Sequence, residues 1–236
     1  MPVDLQAEAE RVRTVASTIE GWLSDAQGRA LFEAAASTTG KGAIIEIGSW
    51  KGRSTAWLAS GARLAGHRVH AIDPHRNSRE DPTATTYREF AANLRRAGVA
   101  DVVEPLVMTS TEAAAVLDDP VELLFIDGDH SYPAVRQDAE AWLPRLVDGG
   151  TVMFHDVTTT SYTGPRRVFR EMVCWTNGFD SIARIGSMVV AHRTARRGLA
   201  AAAWGVTAGV LLYLYDLKIL LRQLRGLRTL ADPRAR

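Results

Sequence analysis

The stretch Ile45-Glu46-Ile47-Gly48-Ser49-Trp50-Lys51-Gly52-Arg53-Ser54-Thr55 reads as a strand that runs through a glycine-bearing turn into a helix. The strand is the apolar run Ala43–Ile47, and the segment 52–66 after it has helix length. Outward from this unit the same alternation recurs. Short apolar runs stand at Val69–Ile72, Val102–Leu106, Val121–Ile126 and Thr151–Phe154, with helix-length segments at 85–97, 111–117 and 132–146. In the last of these, Val135, Ala139, Trp142, Leu143 and Leu146 make one apolar stripe, and Pro133 is tolerated in the first turn. Such alternation predicts a parallel sheet covered on both faces by right-handed crossovers. Phe179–Ile185 and Met188–His192, joined at Gly186–Ser187, read as an antiparallel hairpin closing one edge. The expected fold is therefore α/β: a doubly wound, mostly parallel, seven-stranded sheet.

Before the first strand, Val12, Val15, Ile19 and Trp22–Leu23 fall at helical spacing, and Leu31–Phe32 follow in a second segment. The organisation predicted is a helical segment 1–40, a ligand-binding domain 41–192 and a helical tail 193–236. A chain of 236 residues with 46% apolar and 23% charged side chains is a packed globular protein, which excludes disorder over most of its length. The lone Cys174 excludes a disulfide framework and suits a reducing, cytoplasmic setting; it reads as a small buried hydrophobe. No basic-then-apolar opening marks a secretory signal. The net charge of +1 hides an asymmetry: residues 193–236 hold nine Lys/Arg against two acids, net +7, while the other 192 residues hold 19 against 25, net −6.

In an open α/β sheet, ligands bind beyond the carboxyl ends of the strands, so the informative residues follow each apolar run. Gly48 and Gly52 let backbone approach a ligand closely. The spacing is not G-x-G-x-x-G, because Trp50 stands where the second glycine must be, and a pyrophosphate finds no room. Glu46 at the strand end suits a cationic or hydroxyl-bearing ligand, and Asp73 after the second strand is placed for ribose hydroxyls. The fourth strand ends in Asp127-Gly128-Asp129-His130 and the fifth in His155-Asp156. Asp129 or Ser131 can cap the following helix. The remaining carboxylates and histidines exceed what a structural role requires.

Together, Glu46-Ile-Gly48-Ser-Trp-Lys-Gly52, Asp73 and Phe125-Ile-Asp127-Gly-Asp-His130 resemble the class I S-adenosylmethionine (SAM)-dependent methyltransferases. Within that class they are most similar to the macrocin-type sugar and catechol-type O-methyltransferases, and the resemblance covers roughly residues 20–192. It implies SAM as cofactor, with Gly48, Ser49 and Gly52 under the methionine part and Glu46 near its amine. Ser54 opens the covering helix, Asp73 holds the ribose, and Met108, Thr109 and Ser110 flank the adenine. It further implies a divalent cation, Mg²⁺ or Mn²⁺, held by Asp127 and an acidic pair at 155–156, with His130 as general base. Position 155 departs from the family: it is His155, so it reads as a softer ligand, a second base, or a sign that no metal is held. A neutral imidazole with a pKa of about 6.5 suits the removal of a hydroxyl proton.

The implied reaction is methylation of a hydroxyl on a sugar or glycan acceptor. A catechol-like or other natural-product hydroxyl is the alternative, and a non-catalytic SAM-binding scaffold a further one, which Asp127, His130 and Asp156 argue against. Nucleic acid is not an expected partner, because the body is acidic. Arg166 and Arg167 read either as contacts to an acidic substrate or as surface partners of Asp138. The polar loop 74–86 reads as a lid or substrate wall. Tyr87, Tyr132 and Tyr162 read as sugar-stacking or packing residues. In the tail, Leu199–Tyr215 carries no charge, and Asp216–Leu230 sets Leu217, Leu220, Leu221, Leu224 and Leu227 against Lys218, Arg222 and Arg225. The pattern reads as a pair of helices that pack on the domain or form a homodimer, or else touch a membrane. A membrane contact would favour a lipid-linked acceptor.

Overall fold

The five apolar runs are strands: β1 (Ala43–Ile47), β2 (Val69–Ile72), β3 (Val103–Leu106), β4 (Val121–Ile126) and β5 (Leu146–Phe154). The hairpin supplies β6 (Phe179–Ile185) and β7 (Met188–Arg193). In the computed structural model, which describes residues 4–75, 86–176, 178–195 and 198–231, they form one sheet in the order β3-β2-β1-β4-β5-β7-β6. β1 to β5 are parallel, and β7 and β6 join antiparallel. This is a doubly wound, Rossmann-like α/β sheet. The chain winds outward from β1 through β2 to β3, then returns to β4 on the other side of β1. The crevice of such a switch opens between β1 and β4.

Side-chain alternation along the strands feeds two cores. Ile44, Leu123 and Phe125 pack with α1 (Leu5–Ala16), α2 (Asp25–Ala36), α3 (Arg53–Ala65) and α4 (Tyr87–Ala97) on one face. Ile45, Leu124 and Ile126 pack with α5 (Ser110–Val116), α6 (Tyr132–Trp142) and α7 (Gly164–Phe169) on the other. Cys174 is buried there, as its small apolar character implies.

Two expectations about the flanks change. The first helix stops at Ala16, so Ile19 and Leu23 are buried from a turn, not from a helix, and Trp22 is exposed. The Ser17 and Thr18 hydroxyls bond back to the carbonyls of Thr14 and Val15 and compete with helix propagation. Ser24 and Gln27 then form a reciprocal cap that starts α2, a signal present in the sequence as Ser-x-x-Gln. The tail is not a pair of helices but one helix of 33 residues, α8 (Leu199–Ala231). Nothing at Tyr215–Asp216 breaks it, because the Asp216 charge is taken up by the body.

Candidate active site

The strand ends lie in register. Ile47 pairs with Ile72 and Ile126, and Ile126 with Phe154, and the backbone ladder continues one step further. Gly48 N donates to Ile72 O (2.9 Å), Asp127 N to Ile47 O (2.8 Å) and His155 N to Ile126 O (3.0 Å). Gly48, Asp73, Asp127 and His155 thus stand side by side along the carboxyl edge, around a cavity of about 1280 Å³.

Gly48 has φ +89°, and a Cβ there would sit 2.6 Å from the Asp127 carbonyl carbon and closer still to its oxygen. Absence of a side chain is what lets the β1 and β4 ends approach. Ser49 is buried beside the cavity, its hydroxyl without a partner among the described residues. The Asp73 carboxylate accepts the backbone N–H of Trp50 (2.8 Å) and of His75 (2.6 Å), which ties the β2 end to the turn after β1. Trp50, His75 and Asp156 all hold positive φ without being glycine. Strain of this kind collects where backbone is held for function.

Three expected cofactor residues are placed differently. Glu46 does not line the cavity; it is fully buried and accepts the hydroxyls of Ser54 (2.5 Å) and Thr55 (2.6 Å) at the start of α3. Gly52 opens α3 at φ +85° and faces Phe90 instead of the cavity. Met108 packs into the second core, since the turn after β3 directs it inward, whereas Thr109 and Ser110 line the cavity with Ser54, Asp73 and Asp127.

Burial raises the Glu46 carboxyl to about 8; the Ser54 and Thr55 hydroxyls oppose that shift, and the charges of Asp127 and Asp73 add to it. A carboxyl whose folded pKa exceeds its unfolded value contributes stability that is full below the unfolded value, 4.5, and is lost as pH rises through about 8. Thermal melts of the ligand-free protein should therefore drop between pH 5 and about 8.5 by more than those of Glu46→Gln, which cannot ionise. Equal slopes in the two proteins would remove Glu46 from the pH response.

Asp127, Asp156, His130 and His155 converge at the cavity mouth. His155 Nδ1 lies 3.1 Å from Asp127 Oδ1, and His130 Nε2 lies 3.3 Å from Asp156 Oδ2 and 3.6 Å from Asp127 Oδ1. Burial pulls the His130 pKa down, but the hydrogen bonds and charges of Asp127 and Asp156 outweigh it and push it up to about 9. His155 shifts upward by the same balance. Of the expected metal ligands, Asp127 and His155 come together with His130: among the described residues, ligand atoms of these three lie within 4.8 Å of one another. Asp156 flanks them, 3.6 Å from His155. A divalent ion fits this set, because His155 Nε2 is buried with no partner among the described residues and the group offers carboxylate and imidazole donors.

The body and tail meet just behind this site. Tyr162 stacks on His130 with ring centroids 4.3 Å apart. The loop that carries it is held by three consecutive carbonyls: Arg166 donates to Val157 O (3.2 Å) and Thr159 O (2.8 Å), and Tyr215 to Thr158 O (2.7 Å). Arg166 is only 1% exposed and donates Nε to Asp216 of α8 at 2.6 Å. The alternative pairing with Asp138 does not form: Arg167 pairs with Glu171, and Asp138 is buried, accepting the Ser110 hydroxyl. Asp216→Ala should cost about 2–3 kcal/mol, below the 3–5 of a fully buried pair, because the Asp216 side chain is 35% exposed. Urea titration measures it, and an unchanged midpoint would deny the pair any structural weight. The predicted lid falls mostly on residues 76–85, outside those described. Tyr132 donates to Glu171, and Tyr87 packs on His75. Unforeseen was the stacking of exposed Trp22 on Trp50 at 5.0 Å, both on the cavity rim.

A strand-ordered crevice with a glycine turn, an acid after β2 and a polar cluster after β4 and β5 makes up the candidate site. Residues 45–157 match the family model described as a methyltransferase domain. Catechol O-methyltransferase of Mycobacterium tuberculosis is 35% identical over 115 residues, 48% of this chain and 46% of that one. The chain spans less than half the length of the curated relatives it matches. Among solved structures, the O-methyltransferase TomG of Streptomyces achromogenes, in complex with SAM, superposes with TM-score 0.57 at 22% identity, covering 83% of this chain and 92% of that one. An O-methyltransferase of Bacillus cereus, in complex with SAH, gives 0.58 at 21% identity, with 82% and 93% covered. Likeness at that identity speaks to fold.

Proposed function

We propose that the protein transfers a methyl group from SAM to a hydroxyl of a sugar or glycan acceptor, with a divalent cation at the cavity mouth. The observation that carries this reading is the convergence of Asp127, His130, His155 and Asp156 beside a cavity floored by Gly48 and Ser49. Support for SAM comes from the unpartnered Ser49 hydroxyl, the glycine cradle at Gly48, and Asp73 at the wall. In the transfer, the acceptor oxygen attacks the methyl carbon in line, the carbon–sulfur bond breaks and its electron pair stays on sulfur. The hydroxyl proton passes to His130 Nε2. His130 must be neutral to accept it, yet Asp127 and Asp156 favour its charged form. Asp127 and His155 would hold such a cation, which would offset that carboxylate charge and lower the pKa of the acceptor hydroxyl.

The rim stack of Trp22 on Trp50 and the Tyr162 ring suit the apolar face of a sugar, while the polar lining suits its hydroxyls. The test is transfer of label from SAM to a panel of saccharides and catechols, with and without chelator. We expect sugar labelling that falls with EDTA and returns more fully with Mn²⁺ than with Mg²⁺, because imidazole donors favour the softer ion. Labelling indifferent to chelator would remove the metal. Catechols labelled in place of sugars would establish the second reading, which the 35% identity to a catechol enzyme favours.

A further inference from the structure

We propose that α8 lies flat on an anionic lipid bilayer, its outer face set into the headgroup region and its inner face holding the methyltransferase domain. The inner face is fully used. Gly205 lets the helix rest on the Cys174 carbonyl, Gly209 meets the Trp175 indole, and Leu212 is buried in the second core. Tyr215 and Asp216 make the contacts to Thr158, Arg166 and Arg170.

The outer face is a different surface. Trp204, Val210, Leu211, Leu214, Leu217 and Leu221 are each exposed by 43% or more. Only 17% of the apolar stretch Ala202–Leu221 is buried. So large a continuous apolar surface is rare on a free monomer and marks a contact site. Length and composition alone would let Ala202–Leu221 cross a bilayer. Crossing, however, would strip the inner face from the body and leave Arg166 buried without its acid. Lying flat keeps both faces satisfied.

Charge selects the partner. Lys218 follows Leu211 and Leu214 by seven and four positions, so it continues the same outer face at helical spacing, and the sequence goes on with Arg222, Arg225 and Arg228. Asp216 is the only acid between residues 199 and 231, and it turns inward to Arg166 and Arg170. A second copy of α8 would offer this face apolar area but no acid to pair with its cations. A bilayer containing anionic lipid supplies both, hydrocarbon for the leucines and phosphate for Lys218. Residues 193–236 carry net +7 against −6 for the rest, so the field draws the helix to the lipid and keeps the acidic body off it.

The test is flotation of the full chain with vesicles of phosphatidylglycerol and phosphatidylcholine, and with vesicles of phosphatidylcholine alone. We expect flotation with the anionic vesicles, weakened by salt, and little with the neutral ones. Leu211→Glu/Leu214→Glu should abolish it. Lys218→Glu, which spares the apolar face and any fold it supports, should weaken it by about fivefold or more. Failure to float, or equal flotation with both vesicles, overturns the proposal. So does a dimer in sedimentation equilibrium that the double variant dissociates while vesicle binding is absent, since a second copy then covers the face. None of these readouts depends on methyl transfer.

Discussion

His130→Gln should lower kcat by about 10²–10⁴-fold, the contribution of a positioned general base, with SAM affinity by calorimetry essentially unchanged. The reason is geometric. His130 sits between Asp127 and Asp156, with Tyr162 stacked on its ring, so its Nε2 is held at the mouth of the cavity. His130 also offers a ligand atom within 4.8 Å of those of Asp127 and His155, and that gives the variant a second readout. If the variant binds added Mn²⁺ as the parent does but loses turnover, His130 is the base. Mn²⁺ binding lost together with turnover makes His130 a ligand and leaves the proton to His155. Turnover within a few-fold of wild type would exclude His130 from the chemistry altogether.

The largest combined loss of stability and binding is expected for Gly48→Ala. A Cβ at this position meets the backbone of Asp127, which no side-chain rotation can relieve, and its φ of +89° disfavours any L side chain. Left-handed strain of about 1–3 kcal/mol and overpacking of about 1–3 kcal/mol place the cost near 2–6 kcal/mol. For a domain of this size that lowers Tm by about 2–4 °C per kcal/mol. Because the clash pushes β1 and β4 apart, it also moves Asp127. SAM affinity and turnover should therefore fall together, unlike the selective loss in His130→Gln. A variant that melts as the parent does and binds SAM normally would show that the two strand ends have slack.

The alternation of short apolar runs with helix-length segments determined the seven-stranded sheet, its strand limits to within a few residues, and the edge along which ligands bind. That much was local, because a buried parallel strand must be apolar on both faces and a crossover helix must be amphipathic. The residues placed on that edge by topology, Gly48, Asp73, Asp127 and His155, could be named for the same reason. Side-chain direction was not legible. Glu46 and Met108 follow the right strands yet point beneath the cavity and into a core, since alternation around an irregular turn is set by neighbours far along the chain. Nor could the sequence alone pair Arg166 with Asp216, which lie 50 positions apart. A charge in an uncharged helix looks like a break until the partner that neutralises it is known. Only the packed structure decided that the tail is one helix, braced against the loop that carries Tyr162, with its apolar face left outward.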